Sequence, residues 1–254
     1  MAFRCWSLRL MMLWGVRGRR LHGTINASFF CVFPSCCSPF MAKRPSPKRK
    51  PNRGNASQQP VVDAPMRIIG GQLKNKRIEY SGDVRTRPMK ERVREAVFNL
   101  IGPSIKGKLA IDLFAGTGAL GLEAISRGAI GAHLIERHVP TSKLIRANAE
   151  ALELVDQVTI YAHNSFIWVK KELPNLPRTP WAVFICPPYE FFVSRAEEME
   201  KQIRTLIESA PPESVLIVEF DSQFDGANLP DAENWDVRVY SPAHVGVYRT
   251  AESD

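Results

Sequence analysis

Ile111-Asp112-Leu113-Phe114-Ala115-Gly116-Thr117-Gly118-Ala119-Leu120-Gly121 follows an apolar strand and opens a helix. Gly116, Gly118 and Gly121 form a G-x-G-x-x-G, which permits a tight turn and close approach of backbone to a ligand. A carboxylate, Glu136, closes the next predicted strand, where it can accept hydrogen bonds from both hydroxyls of a ribose. Up to this point NAD and S-adenosylmethionine fit equally well. Asp112 separates them. A carboxylate at the end of the first strand repels a pyrophosphate resting on the turn, and attracts the amino group and positive sulfonium of S-adenosylmethionine. The competing reading is that Asp112 only bonds loop amides. Asn164 and Ser165 follow the third strand, where an Asn can meet an adenine edge, because ligands bind beyond the carboxyl ends of parallel strands. The expected cofactor set is Asp112, Phe114, Ala115, Gly116, Thr117, Gly118, Glu136, Arg137, Asn164 and Ser165, with S-adenosylmethionine as the cofactor.

Outward from this loop, strands and helices alternate. Strands are predicted at 109–114, 132–135, 158–161, 181–185 and 214–220. Helices are predicted at 119–126, 141–152 (with Thr141 able to cap it), 166–172 and 196–209. Segments 236–240 and 245–249 read as a closing antiparallel pair. Repeated βα units imply an α/β fold: a doubly wound, mostly parallel, seven-stranded Rossmann-like sheet with helices on both faces. Ahead of it, 67–71 and 77–80 read as a short β-hairpin, and 89–101 as an amphipathic helix carrying Val93, Val97 and Leu100. The expected organisation is therefore 1–65 as a tail, 66–108 as a hairpin and helix facing a partner, and 109–250 as the cofactor domain.

The 254 residues carry 34 Lys and Arg against 26 Asp and Glu, a net charge of +8 that favours polyanionic partners. Cys5, Cys31, Cys36 and Cys37 lie in the first forty residues, and Cys186 alone in the rest. No disulfide framework is open to the main domain, which points to a reducing compartment and a cytoplasmic location. Adjacent Cys36 and Cys37 are not spaced as zinc ligands, so no metal is expected. The apolar run at 8–16 is too short to span a membrane. Residues 1–40 contain no Asp or Glu, and a signal or transit peptide is one reading of them. The preferred expectation is a translation start at Met41, with 42–65 a basic, disordered tail.

After the fourth strand stands Cys186-Pro187-Pro188-Tyr189, which resembles the amino-methyltransferase motif Asp/Asn/Ser-Pro-Pro-Tyr/Phe/Trp. The lone pair of an exocyclic base amine is delocalised into the ring. Acceptors beside it can hold its two protons and aim the nitrogen. The side chain at 186 and the Pro187 carbonyl would supply them, two prolines limit the freedom of that carbonyl, and Tyr189 would stack on the base. Cys186, Pro187, Pro188 and Tyr189 are thus the candidate catalytic residues. Cys186 departs from the motif, since a thiol is a weak acceptor. Three readings stay open: an enzyme relying on the Pro187 carbonyl, a slow enzyme, or an inactive RNA-binding relative.

The order Arg67-Ile68-Ile69-Gly70-Gly71, Arg87-Pro88, 92–99, 112–123, Glu136, Asn164, Pro187-Pro188-Tyr189 and Val218-Glu219 resembles the bacterial RsmD family over about residues 66–250. The resemblance implies a doubly wound methyltransferase fold, a short hairpin that meets RNA, and methylation of a guanine N2 amine in 16S ribosomal RNA of the small subunit. The expected partner is 16S rRNA or the 30S particle, with no membrane and a monomeric protein. Arg67, Arg85, Arg87, Arg92 and Arg94 are the candidate RNA-binding residues. Arginine forks suit phosphate, and cations at a helix entrance oppose the helix dipole unless an anion binds there. The competing reading for Arg94 is an ion pair within the fold. Amino-methylation of DNA or protein, and a non-catalytic assembly factor, are the other functions the motifs allow.

Overall fold

The computed structural model describes residues 66–80, 82 and 88–252. The expectations placed on 1–65, and on Arg85 and Arg87, lie outside the described residues. The elements are β1 (Met66–Arg67), β2 (Arg77–Ile78), α1 (Glu91–Ile101), β3 (Leu109–Asp112), α2 (Ala119–Ser126), β4 (Gly131–Ile135), α3 (Val139–Ala151), β5 (Val158–Tyr161), α4 (Ser165–Lys171), β6 (Trp181–Ile185), α5 (Phe191–Ser194), α6 (Ala196–Ser209), β7 (Val215–Asp221), β8 (Trp235–Tyr240) and β9 (Ala243–Arg249). Strands β3 to β9 form a seven-stranded sheet in the order β5-β4-β3-β6-β7-β9-β8, and β1 and β2 form a separate hairpin. All pairings are parallel from β5 to β7, and β9 is antiparallel to both β7 and β8. This is the α/β, mostly parallel sheet read from the sequence.

Period-two alternation assigns the core to two faces of the sheet. On one face lie Ala110, Phe184 and Ile217, covered by Val97 and Phe98 of α1, Leu122 of α2 and Ile145 of α3. On the other lie Ile111, Val183 and Leu216, covered by Trp168 of α4 and Ile203 and Leu206 of α6. Both faces are buried, so Trp181-Ala182-Val183-Phe184-Ile185 is wholly apolar. Asp112 pairs with Phe184, and Phe184 with Ile217, across β3, β6 and β7. Continuing that register past the last pair, Ile185 with Val218, sets position 186 beside position 219.

Three helix starts differ from the sequence expectation, that of α4 by one residue, at Ser165 rather than 166. Lys90 is extended (ψ 140°), so α1 begins at the acidic Glu91 rather than at 89. Helix α3 begins at Val139, before Thr141, because Pro140 sits in the first turn, where its missing N–H has no intrahelical partner to lose. Thr141 Oγ1 lies 2.8 Å from His138 Nδ1. The hairpin is also shorter than expected. Beyond Ile68, whose amide still donates to the Lys76 carbonyl at 2.9 Å, the chain leaves strand pairing because the amides of Ile69 and Gly70 each donate to Glu123 of α2 at 2.7 Å. Gly71, at φ +77°, approaches so closely that a Cβ there would lie 1.9 Å from the Ser126 carbonyl oxygen. The Arg-Ile-Ile-Gly-Gly segment is thus fastened to the helix that the glycine loop opens.

Candidate active site

Strand order reverses beside β3: β4 and β5 lie to one side, β6 and β7 to the other. Loops leaving β3 and β6 diverge there and leave a crevice. A cavity of about 550 Å³ occupies it, walled by Gly116, Glu136 and Asn164 on one side and by Pro187, Tyr189 and Glu219 on the other. Gly116, at φ +51°, turns the chain at this wall. Gly121 lets α2 rest on β4, since a Cβ there would stand 2.1 Å from Leu134 Cδ2. Glu136 accepts from the Gly116 amide through Oε2 at 3.0 Å and from the His138 amide through Oε1 at 2.7 Å. It therefore braces the glycine turn while facing the cavity.

Asp112 lies just behind the wall. It is 1% exposed, and neither carboxylate oxygen has a hydrogen-bond partner. The Phe114 and Gly121 amides lie near enough to favour its charged form, yet neither reaches hydrogen-bond geometry. Burial, with a smaller push from Glu136, raises its pKa to about 7. A buried, unpartnered carboxylate is costly. A ligand bringing an ammonium group or N–H donors removes that cost, so the residues present fit S-adenosylmethionine.

The other wall follows from sheet parity. Cys186 and Glu219 continue the face of Phe184 and Ile217, one residue beyond the paired ends of β6 and β7. Burial, then the negative charges of Glu219 and Asp112, push the Cys186 thiol well above its ordinary pKa. Position 186 therefore presents a neutral thiol. Tyr189 donates its phenol proton to Glu219 Oε1 at 2.7 Å. Burial, then this bond, raises the Tyr189 pKa. Glu219 is 8% exposed, and burial raises its own pKa while the Tyr189 hydrogen bond opposes that shift.

Phe114, Phe166 and Phe191 form an edge-packed trio at the wall, with centroids 6.2 Å apart from Phe114 to each of the others. The Arg195 guanidinium covers Phe166 at 4.1 Å and Phe191 at 5.2 Å, while Arg137 stands 6.0 Å from Phe191. Lys90, Arg137, His163 and Arg195 also line the cavity, and the first three are exposed.

The cavity thus brings together Cys186, Pro187, Pro188 and Tyr189 with Phe114, Gly116, Glu136, Arg137, Asn164 and Ser165. Ala115, Thr117 and Gly118 shape the turn from behind this wall. Asn164 spends its side-chain oxygen capping α4 at the Phe166 amide, 2.9 Å away, which leaves its amide nitrogen for a ligand. Among the RNA candidates, Arg92 is exposed and donates to the Ser241 carbonyl at 2.9 Å. Arg67 is exposed and pairs with Glu91 at 3.3 Å. Arg94 requires a correction: at 0% exposure it cannot reach a phosphate. It donates to the Arg67 carbonyl at 2.6 Å and lies 3.9 Å from Glu123. The ion pair is within the fold, as the competing reading held, but its partner is on α2 rather than a neighbour on α1. Sequence reasoning gave no role to Glu219, although Val218-Glu219 ends an apolar strand with a carboxylate. It also passed over Arg195 and Lys90, which carry no motif. Among the described residues no group of His, Cys, Asp or Glu could hold a metal ion, and no helix is long and apolar enough to cross a membrane.

A family profile described as Conserved hypothetical protein 95 matches residues 66–248. Ribosomal RNA small subunit methyltransferase D of Escherichia coli strain K12 is 29% identical over 201 residues, covering 79% of this chain and 93% of that relative. YlbH of Bacillus subtilis is 31% identical over 146 residues, covering 56% of this chain and 74% of YlbH. The solved structure of yhhF from Escherichia coli matches with a TM-score of 0.60 at 28% identity, covering 74% of this chain and 99% of yhhF.

Proposed function

The chain belongs to the family described as Conserved hypothetical protein 95, the RsmD family, and from that membership we propose that it methylates the exocyclic N2 amine of a guanine in 16S ribosomal RNA, using S-adenosylmethionine. The observation that carries this reading is the single cavity with the glycine turn and Glu136 on one wall and Pro187-Pro188-Tyr189 on the other. A methyl donor and a base amine held on these two walls meet in one space.

S-adenosylmethionine supplies a methyl group activated by positive sulfur. Asp112 receives the donor's ammonium group, Glu136 its ribose hydroxyls, and the Asn164 amide nitrogen its adenine edge. The Pro187 carbonyl accepts one N–H of the target amine, and the Tyr189 ring stacks on the base. Orientation of this kind accounts for much of the rate of an in-line displacement. Arg67, Arg92 and Lys90 lie outside the buried core and are proposed to meet RNA phosphates, while Arg137 stays with the proposed cofactor set. Arg85 and Arg87 remain in the proposed RNA-binding set on the sequence argument.

The test supplies labelled methyl donor with assembled 30S particles, naked 16S rRNA and DNA, and identifies the modified nucleoside. Label recovered as N2-methylguanine in 16S rRNA is expected. Label in DNA alone refutes the substrate, and RNA binding without transfer identifies a non-catalytic assembly factor.

A further inference from the structure

We propose that Glu219 is the side-chain acceptor for the target amine, performing from β7 the task that the motif ordinarily gives to position 186 on β6. This rests on the reading that the protein is an amino-methyltransferase. Three observations support it. Parallel register sets Cys186 and Glu219 next to each other on the same face, both lining the cavity with Pro187 and Tyr189. The carboxylate is buried, and the one side-chain hydrogen bond described for it is made by Oε1, which accepts from Tyr189 at 2.7 Å. Cys186 is in no state to compete, since a neutral thiol is a weak acceptor. The two carboxylate oxygens thus divide the work. One fixes the phenol of the ring that would stack on the base, and the other accepts an N–H of the amine beside the Pro187 carbonyl.

The transfer balances with these groups alone. The amine nitrogen gives its lone pair to the methyl carbon, and the carbon–sulfur bonding pair returns to sulfur. The surplus proton on nitrogen passes to Glu219 Oε2 and from there to water.

Three variants of the full chain test the assignment with rRNA as substrate, each first shown to fold by an unchanged melting-temperature rise with S-adenosylmethionine. Glu219→Gln keeps an oxygen for the Tyr189 hydroxyl but turns an amide donor toward the amine. It is expected to lower kcat by about thirtyfold or more with little change in KM, the scale of one charge-assisted hydrogen bond. Tyr189→Phe keeps the ring and frees Glu219, and is expected to lower kcat by about fivefold or less, as for one neutral hydrogen bond. Cys186→Asn added to Glu219→Gln restores an acceptor on the neighbouring strand and is expected to recover at least about tenfold. A Glu219→Gln enzyme within about threefold of wild type overturns the proposal. So does a Tyr189→Phe enzyme as slow as Glu219→Gln, because Glu219 would then act only by holding the ring. A double variant without recovery overturns it as well. A wild-type protein that transfers no methyl group overturns the underlying reading, and this one with it.

Discussion

Replacing Glu123 with Ala should destabilise the protein strongly, because this carboxylate neutralises charge in the core and fastens the N-terminal segment. Glu123 and Arg94 are both 0% exposed, with 3.9 Å between Oε2 and Nε. Glu123 also accepts from the Ile69 and Gly70 amides and from Arg127 Nε, each at 2.7 Å. Arg94 stays protonated in any protein environment, so the truncation leaves a buried cation without its counter-charge. Breaking one side of a buried pair costs about 3–5 kcal/mol. Residues Ile69 and Gly70 are only partly buried, so water can replace part of what their amides lose. For a domain of this size each kcal/mol moves the melting temperature by roughly 2–4 °C, so a fall of about 6–20 °C is expected in a thermal melt of the full chain. Arg94→Met added to Glu123→Ala should regain part of that fall, because it removes the stranded charge. A fall below about 2 °C, or a double variant no better than the single, would refute the argument that an ion pair holds this segment.

Asp112→Asn should raise the stability of the ligand-free protein at pH 8 and abolish the melting-temperature rise with S-adenosylmethionine, while NAD should stabilise neither protein. The Asp112 pKa moves from 3.8 unfolded to about 7 folded, so the relative stability it confers is full below about pH 4 and is lost as pH rises through about 7. Above that pH the penalty levels off at roughly 4 kcal/mol, and a variant that is less stable than wild type at pH 8, or that keeps its response to the cofactor, contradicts the assignment. Arg92→Ala should weaken RNA binding and flatten its salt dependence with the cofactor response intact. Arg94→Met should instead lower the melting temperature, and equal loss of RNA affinity in both variants without loss of stability would return Arg94 to the RNA-facing set.

Much of the fold was legible because parallel strands buried on both faces must be apolar throughout and their connections must be helical. The run 181–185 and the helix 196–209 agree with the structure residue for residue. The hairpin was less legible because its partner lies on another element. Arg67-Ile68-Ile69-Gly70-Gly71 reads as a β-branched run ending in a glycine turn, but Glu123, more than fifty residues away, outcompetes a strand partner for two of its amides. Arg94 was misread for the same reason. Charge on an amphipathic helix reads as exposed until a buried counter-charge is found, and no local spacing connects Arg94 to Glu123.

The site shows the same division between pattern and register. Alternation within one strand places Asp112 with Ala110, Cys186 with Phe184, and Glu219 with Ile217, so each residue's face was readable from its own strand. That the three faces are one face depends on β3, β6 and β7 being neighbours, with Asp112 opposite Phe184 and Ile185 opposite Val218. Read along the chain, Cys186 is a defect in a catalytic motif, because a motif assigns each task to one position. Read across the sheet, the acceptor need only reach the same volume beyond the strand ends, and a carboxylate on the adjacent strand meets that condition. Cys186 therefore argues for inactivity only as far as Glu219 fails to do the work. The Glu219→Gln and Cys186→Asn pair is decisive for that reason: the two positions should substitute for one another if what the chemistry requires is an acceptor on this face, whichever strand carries it.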